Sequence, residues 1–251
     1  MKQCKGEIAP EQFLSTYKAA QEKTSSSYSG RHVGNHKVIK EDLLLVKLHS
    51  DMMSIPYITG FSPQRWHQVV DVMLEKDPGY PKQHRLRIVA LLESDCNQSQ
   101  RILVARWLTH HLEDFQMIPD MQCRSCPSKM CISPVINKVL SYDLVHQTKV
   151  NGAFIENGAV GYYDRLVNSL VFLELWHLGI PMTVLKSIQN SWNQARHHIK
   201  TRYGYSSCTY SNTEELPLFG PGQGSATGPN LWRILFCLIA KNLLTEELAI
   251  H

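Results

Sequence analysis

The chain has 251 residues, 43% of them hydrophobic and 19% charged, a balance suited to one large buried core or two smaller ones. Its net charge of +4 permits a nucleic-acid partner without demanding one, because a sum carries no information about clustering. The segment Met1-Lys2-Gln3-Cys4-Lys5-Gly6 lacks the apolar core of a signal peptide, and the most apolar run, residues 231–244, is broken by Arg233 and Lys241 and is too short to span a bilayer, so no membrane partner is expected. Seven cysteines, an odd number, fit reduced thiols in an intracellular setting, nuclear or cytoplasmic.

Phe13, Leu14, Tyr17 and Ala20 recur at roughly helical spacing over residues 10–22, with Pro10 near the first turn. The polar run 23–34 reads as an exposed connection. Asn35 is the expected cap of a helix reaching about Met53, with Val38, Ile39, Leu43, Val46 and Leu48 on its apolar side. Ser62-Pro63 starts a short turn leading to Arg65 and Trp66. Val70, Val72 and Leu74 then alternate with Asp71, Met73 and Glu75, which suits a strand. Lys76-Asp77-Pro78-Gly79 is a strong turn signal, and a second strand over residues 86–92 completes a β-hairpin with a basic tip. Asp95 or Asn97 caps a helix through Leu112, and Ser133-Pro134 opens another to about Gln147.

Residues 154–164, Phe-Ile-Glu-Asn-Gly-Ala-Val-Gly-Tyr-Tyr-Asp, read as a short apolar strand, a Gly-relieved turn and the start of a helix through Leu178. Gly179 and Pro181 end that helix. Residues 182–198 are expected to be helical, residues 199–210 to hold a strand pair, and Gly220-Pro221-Gly222-Gln223-Gly224 to form a loop. Pro229 starts a last helix to about Leu244.

Three groups of residues carry chemical meaning. Lys76 and Arg87, on facing strands of the hairpin, together with Arg106 are suited to hold phosphates. Cys123, Cys126 and Cys131 offer the beginning of a zinc site with His110, His111 or His146, although a single Cys-x-x-Cys pair without a second reads first as small buried thiols. The glycines around Gln223 let the backbone lie close to a neighbour. No Ser or Cys nucleophile has an identifiable partner among the twelve histidines.

The order of these blocks resembles the reverse transcriptases of non-LTR retrotransposons. Trp66, Lys76, Arg87-Ile88-Val89-Ala90-Leu91-Leu92 and Arg101 to Arg106 follow that family's fingers, with Ile88 in place of a proline and Trp107 in place of a leucine. Gln122 and Lys129 match its next segment loosely. Tyr163 and Asp164 match the end of its first catalytic block, in which an aspartate is followed five residues later by Phe or Tyr. Gln223, Gly224, Pro229 and Leu231 match its Gln-Gly block, with Gly228 for Ser and Trp232 for Phe.

The resemblance implies an α+β right-handed polymerase fold: an N-terminal helical segment at 1–23, fingers over about 24–120 and an incomplete palm over about 121–251, without a thumb. It implies RNA-templated DNA synthesis with Mg²⁺, a nucleoside triphosphate and an RNA template or RNA–DNA hybrid. Tyr163 would screen the sugar, and Lys76, Arg87, Arg106, Gln223 and Gly224 would contact nucleotide or template. However, Gly158 stands at the place of the first metal-binding aspartate, and no Asp-Asp pair occurs. Asp164, next to the sugar gate, is no obvious substitute. The expectation is a degenerate, truncated and catalytically inactive relative, or else a non-catalytic remnant that binds nucleic acid.

Overall fold

A computed structural model describes residues 4–23, 27–80, 82–119, 122–123, 126, 129–151 and 161–245. It is an α+β protein in two compact units, one made of Met1–Trp107 with Tyr163–Gly228, the other of Leu108–Tyr162 with Pro229–His251. This division cuts across the expected boundary at residue 120. The N-terminal segment is also part of the first unit rather than a separate piece: α1 (Pro10–Ala19) packs on α3 (Leu43–Thr59) and buries Phe13 and Tyr17 completely. Each such side chain contributes about 1.5–3 kcal/mol by leaving water.

The first unit is built on a four-stranded sheet in the order β2-β1-β3-β4. Strands β1 (Gln68–Glu75) and β2 (Leu86–Leu91) form the antiparallel hairpin anticipated from period-two alternation. Gly79, at φ 84°, turns the chain at the hairpin tip, and its N–H donates to the Glu75 carboxylate at 2.9 Å. Strand β3 (Arg196–Thr201) lies parallel to β1, and β4 (Gly204–Ser211) pairs antiparallel with β3.

Several expected boundaries move for local reasons. The helix expected from Asn35 to Met53 is two helices, α2 (Val33–Ile39) and α3, because the Asp42 carboxylate caps α3 by accepting from the N–H groups of Leu44 and Leu45. Glu93 rather than Asp95 or Asn97 occupies the cap position of α4 (Ser94–Gln100), which runs through a π-helical turn at Arg101–Arg106 into α5 (Trp107–Asp114). The helix expected up to Leu178 starts as a 3₁₀ turn at Tyr162–Arg165 and resumes as α7 (Asn168–His177) after Val167. The helix expected over residues 182–198 stops earlier, as α8 (Met182–Asn193), so His197 and His198 belong to β3. The strand expected near Phe154 and the turn at Gly158 lie outside the described residues.

A helical layer of α3, α4 and α8 supports the unit. Val184, Leu185 and Ile188 of α8 are buried, and its Ser187 and Asn190 donate to the carbonyls of Phe61 and Gly60, where α3 ends in a left-handed turn. Tyr57 is fully buried and shares a 2.6 Å hydrogen bond with Ser99 of α4.

A buried ionic knot joins this layer to the sheet. Arg65, in the turn that precedes β1, donates to Glu93 at 3.2 Å and to both oxygens of Asp95 just beyond β2. Trp66 Nε1 and the Ser29 hydroxyl donate to the same two acids. Glu93 is 1% and Asp95 5% exposed, so neither carboxylate has bulk water to replace the guanidinium.

In the second unit, α6 (Ile132–Thr148) buries none of its side chains. Leu231, Ile234 and Cys237 of α9 (Gly228–Thr245) are buried, and Arg233 lies 3.9 Å from the Cys126 sulfur. Among the described residues, no helix is long and apolar enough to cross a membrane.

Replacing Arg65 by Ala strands two buried acids and is expected to destabilise the first unit by about 3 kcal/mol, measured as a lower denaturation midpoint. Adding Asp95→Asn to that variant should restore part of the loss. An Arg65→Ala chain as stable as the wild type would contradict this account of the knot.

Candidate functional site

Register decides which side chains share a face. Val69, Asp71 and Met73 of β1 stand level with His197 and Ile199 of β3, with Ala90 and Ile88 of β2 and, through His197, with Tyr210 of β4. These residues form one wall of a cavity of about 460 Å³ closed by α4, α7, α8 and the segment 216–223.

Asp71 is the polar centre of that wall and is 1% exposed. One of its oxygens, Oδ2, accepts from Tyr210 Oη and lies 3.0 Å from His197 Nδ1. The His197 and Tyr210 rings stack at 4.8 Å, which holds both groups against the carboxylate. Burial first, and then the neighbouring Asp71, push the Tyr210 phenol well above its ordinary range, so it remains a donor. The other oxygen, Oδ1, has no hydrogen-bond partner among the described residues.

Asp164 comes to the same cavity from the 3₁₀ turn, and Gln223 lines it from the Gly220–Gly224 loop. Its loop is tied down on three sides. Asn168 Oδ1 accepts the Gly220 N–H at 2.8 Å, the Gln223 carbonyl accepts the Ala90 N–H at 2.6 Å, and Asn97 donates to the Gly224 carbonyl at 3.1 Å. Gly224 has φ 115°, and a Cβ there would collide with the Ala90 carbonyl oxygen. Tyr163 packs elsewhere, with its ring 3.2 Å from where a side chain on Gly228 would begin.

The expected site residues are therefore divided. Asp164, Gln223 and Gly224, from the turn at 162–165 and the loop at 220–224, come together beside β2. Lys76 and Arg87 do not join them: alternation puts both on the opposite face of the hairpin, where both are exposed. Arg106 is apart from both groups, its guanidinium donating to Thr16 at 2.8 Å and to Ser15 of α1. Gly158 lies outside the described residues.

The opposite face carries further residues that the sequence reading missed. Lys200 of β3 is level with Val72 and sits 5.7 Å from the Tyr205 ring, and Tyr28 stacks on His198 at 4.1 Å and borders Tyr205. With exposed Lys76 and Arg87 on the same face of the hairpin, this makes a basic surface with aromatic rings. For Lys200 and Tyr205 the sequence signal was the run Tyr203-Gly204-Tyr205 between Lys200-Thr201-Arg202 and Ser206.

Metal sites fare poorly among the described residues. No group of three His, Cys, Asp or Glu side chains converges, so the zinc arrangement around Cys126 is not formed there. Of the described residues, Asp71 and Asp164 supply two carboxylates to the cavity, and one oxygen of Asp71 is already engaged by Tyr210 and His197. Neither a scan against protein-family models nor a search of curated proteins returns a match for this chain.

Two outcomes test this geometry. Gly224→Ala forces a side chain into a positive-φ position against backbone and is expected to cost more than about 1 kcal/mol, read from chemical denaturation. Burial, reinforced by the Asp71 charge, raises the Asp164 carboxyl above its usual range despite the opposing Gln223 side chain. A raised folded-state value means that this group favours the folded state at low pH and loses that contribution as pH rises through the folded value. Asp164→Asn should therefore gain on the wild type in melting temperature between about pH 4 and neutrality. A difference that does not vary with pH would contradict the assigned environment.

Proposed function

We propose that this chain is a reverse-transcriptase-like domain, of the non-LTR retrotransposon kind, that holds nucleic acid without polymerising it. In this reading the β1–β2 hairpin belongs to the fingers, and the turn at Tyr163 and the Gly220–Gly224 loop belong to the palm. The convergence of Asp164, Gln223 and Gly224 beside β2 supports the resemblance, because these blocks are far apart in the chain and neighbours in the site. Gly158 argues against catalysis, since glycine has no side-chain carboxylate to offer a metal ion.

The observation that carries nucleic-acid binding is the basic, aromatic outer face. Lys76, Arg87 and Lys200 offer charge to a phosphate backbone, and Tyr205 and Tyr28 offer flat surfaces to unstacked bases. Such a surface recognises backbone and base planes rather than sequence.

Binding of single-stranded RNA and of an RNA–DNA hybrid, followed by fluorescence anisotropy at several salt concentrations, tests the reading. The affinity should fall steeply with salt. Neutralising Lys76, Arg87 and Lys200 together should weaken binding by about tenfold or more and lower the salt slope by roughly 0.7–0.9 for each phosphate no longer neutralised. In primer extension with Mg²⁺, no incorporation is expected. Salt-independent binding would overturn the interface, and Mg²⁺-dependent extension that is abolished in Tyr163→Ala would overturn the inactivity.

A further inference from the structure

We infer that the outward face of α3 is the surface through which two copies of this chain pair. A surface helix ordinarily turns its apolar stripe to the core and its polar stripe to water. α3 departs from this. Its core side includes Ser50 and Ser54, whose hydroxyls donate to the Lys47 and Ser50 carbonyls, beside Val46, Met53 and Tyr57. Its outward side carries Leu44, Leu45, Leu48, Met52, Ile55 and Ile58, each between 40% and 77% exposed. Positions 44, 48, 52, 55 and 58 follow one another in helical steps, so these side chains form one continuous stripe along nearly the whole helix. A single exposed leucine is ordinary, but a contiguous apolar stripe of this length is not.

Size and charge select the occupant. Six such side chains offer on the order of 500 Å² of apolar surface on each copy, so a two-fold pair removes on the order of 1,000 Å² from water, enough for a specific dimer of modest affinity. Asp51, the acid flanking the stripe, already pairs with Lys47 at 3.0 Å, and Lys40 pairs with Glu41 at 3.5 Å near the start of the helix. The face therefore presents neither sign of charge. A nucleic acid or an anionic membrane would need unpaired basic residues around the stripe, and a charged protein surface would need a countercharge. An equally apolar helix is what fits, and a second copy supplies one of matching length.

The helix is ready for this contact. It is anchored on α1, α4 and α8 through its other side, so pairing calls for no ordering of a mobile segment. A two-fold axis across α3 lays the stripe against itself, with the rows of side chains on one helix seated between the rows on the other. α6 also exposes apolar residues, Ile132, Val135, Ile136 and Val139 among them, but it buries none of its side chains and so offers no anchored surface. The inference goes beyond nucleic-acid binding and does not rest on it.

Sedimentation velocity of the nuclease-treated full chain, from about 1 to about 100 µM, provides the test. The mass should rise with concentration from 28.7 kDa toward twice that value, and raised salt should not reverse the association. Leu48→Glu combined with Ile55→Glu should weaken the dimer at least about a hundredfold. Chemical denaturation of that variant when dilute should match the dilute wild type, because both side chains are exposed in the single chain. Should the double variant fail to fold, Leu48→Ser alone carries the test, with a loss of about tenfold. Val139→Glu on α6 should change nothing. A wild type that stays a single chain at about 100 µM, an assembly larger than a dimer, a dimer indifferent to the α3 substitutions, one lost with Val139→Glu, or one dissolved by salt would each overturn the inference.

Discussion

The contact of Arg65 with Glu93 and Asp95 is the constraint on which the first unit depends. It joins the turn just before β1 to the residues just after β2, so both ends of the hairpin are held by one guanidinium. A buried ionic group of this kind is a weak source of net stability, because desolvation offsets most of the attraction. Its effect is on placement. Sliding one strand by a single residue would exchange the two faces of the hairpin, and the same slide would pull the acids away from Arg65.

That placement matters because the two faces have opposite chemistry. A strand turns alternate side chains to opposite sides, and β1 uses this to carry Asp71 on one side and to lead into Lys76 on the other. β3 repeats the division, with His197 beside the acidic cavity and Lys200 beside Tyr205. The acidic and basic surfaces are therefore separated by the thickness of a single sheet. A ligand suited to one of them is repelled by the other, so the sheet sorts charge without any additional element.

The hairpin was readable from sequence because alternation and the Asp77-Pro78-Gly79 turn are local signals, and α9 because Pro229 and a long apolar run mark it. The position of His197 was not readable. The pattern from Met182 onward continues to look helical, and pairing with β4 on one side and with β1, more than a hundred residues earlier, on the other makes residues 196–201 a strand. Asp71 was not singled out in the sequence for a related reason. In an alternating strand a polar residue reads as solvent-facing, yet here the polar side is covered, while Leu74 on the apolar side is 47% exposed. Of the residues expected to act together, Asp164, Gln223 and Gly224 meet in space, and Arg106 serves α1 instead. The basic face drew residues from three separate stretches, none of which is distinctive by itself.

The Gly220–Gly224 loop has a consequence beyond the site it helps to form. β2 is the last strand on its side of the sheet, and the backbone groups on its outer margin would otherwise be open to pairing. The Gln223 carbonyl takes the Ala90 N–H, and Gly224 rests against the Ala90 carbonyl. The loop thus covers this margin at Ala90: a foreign strand approaching there meets an N–H already taken. A loop that would be judged only by what it binds is, for the folded chain, also the cover of a sheet edge at Ala90.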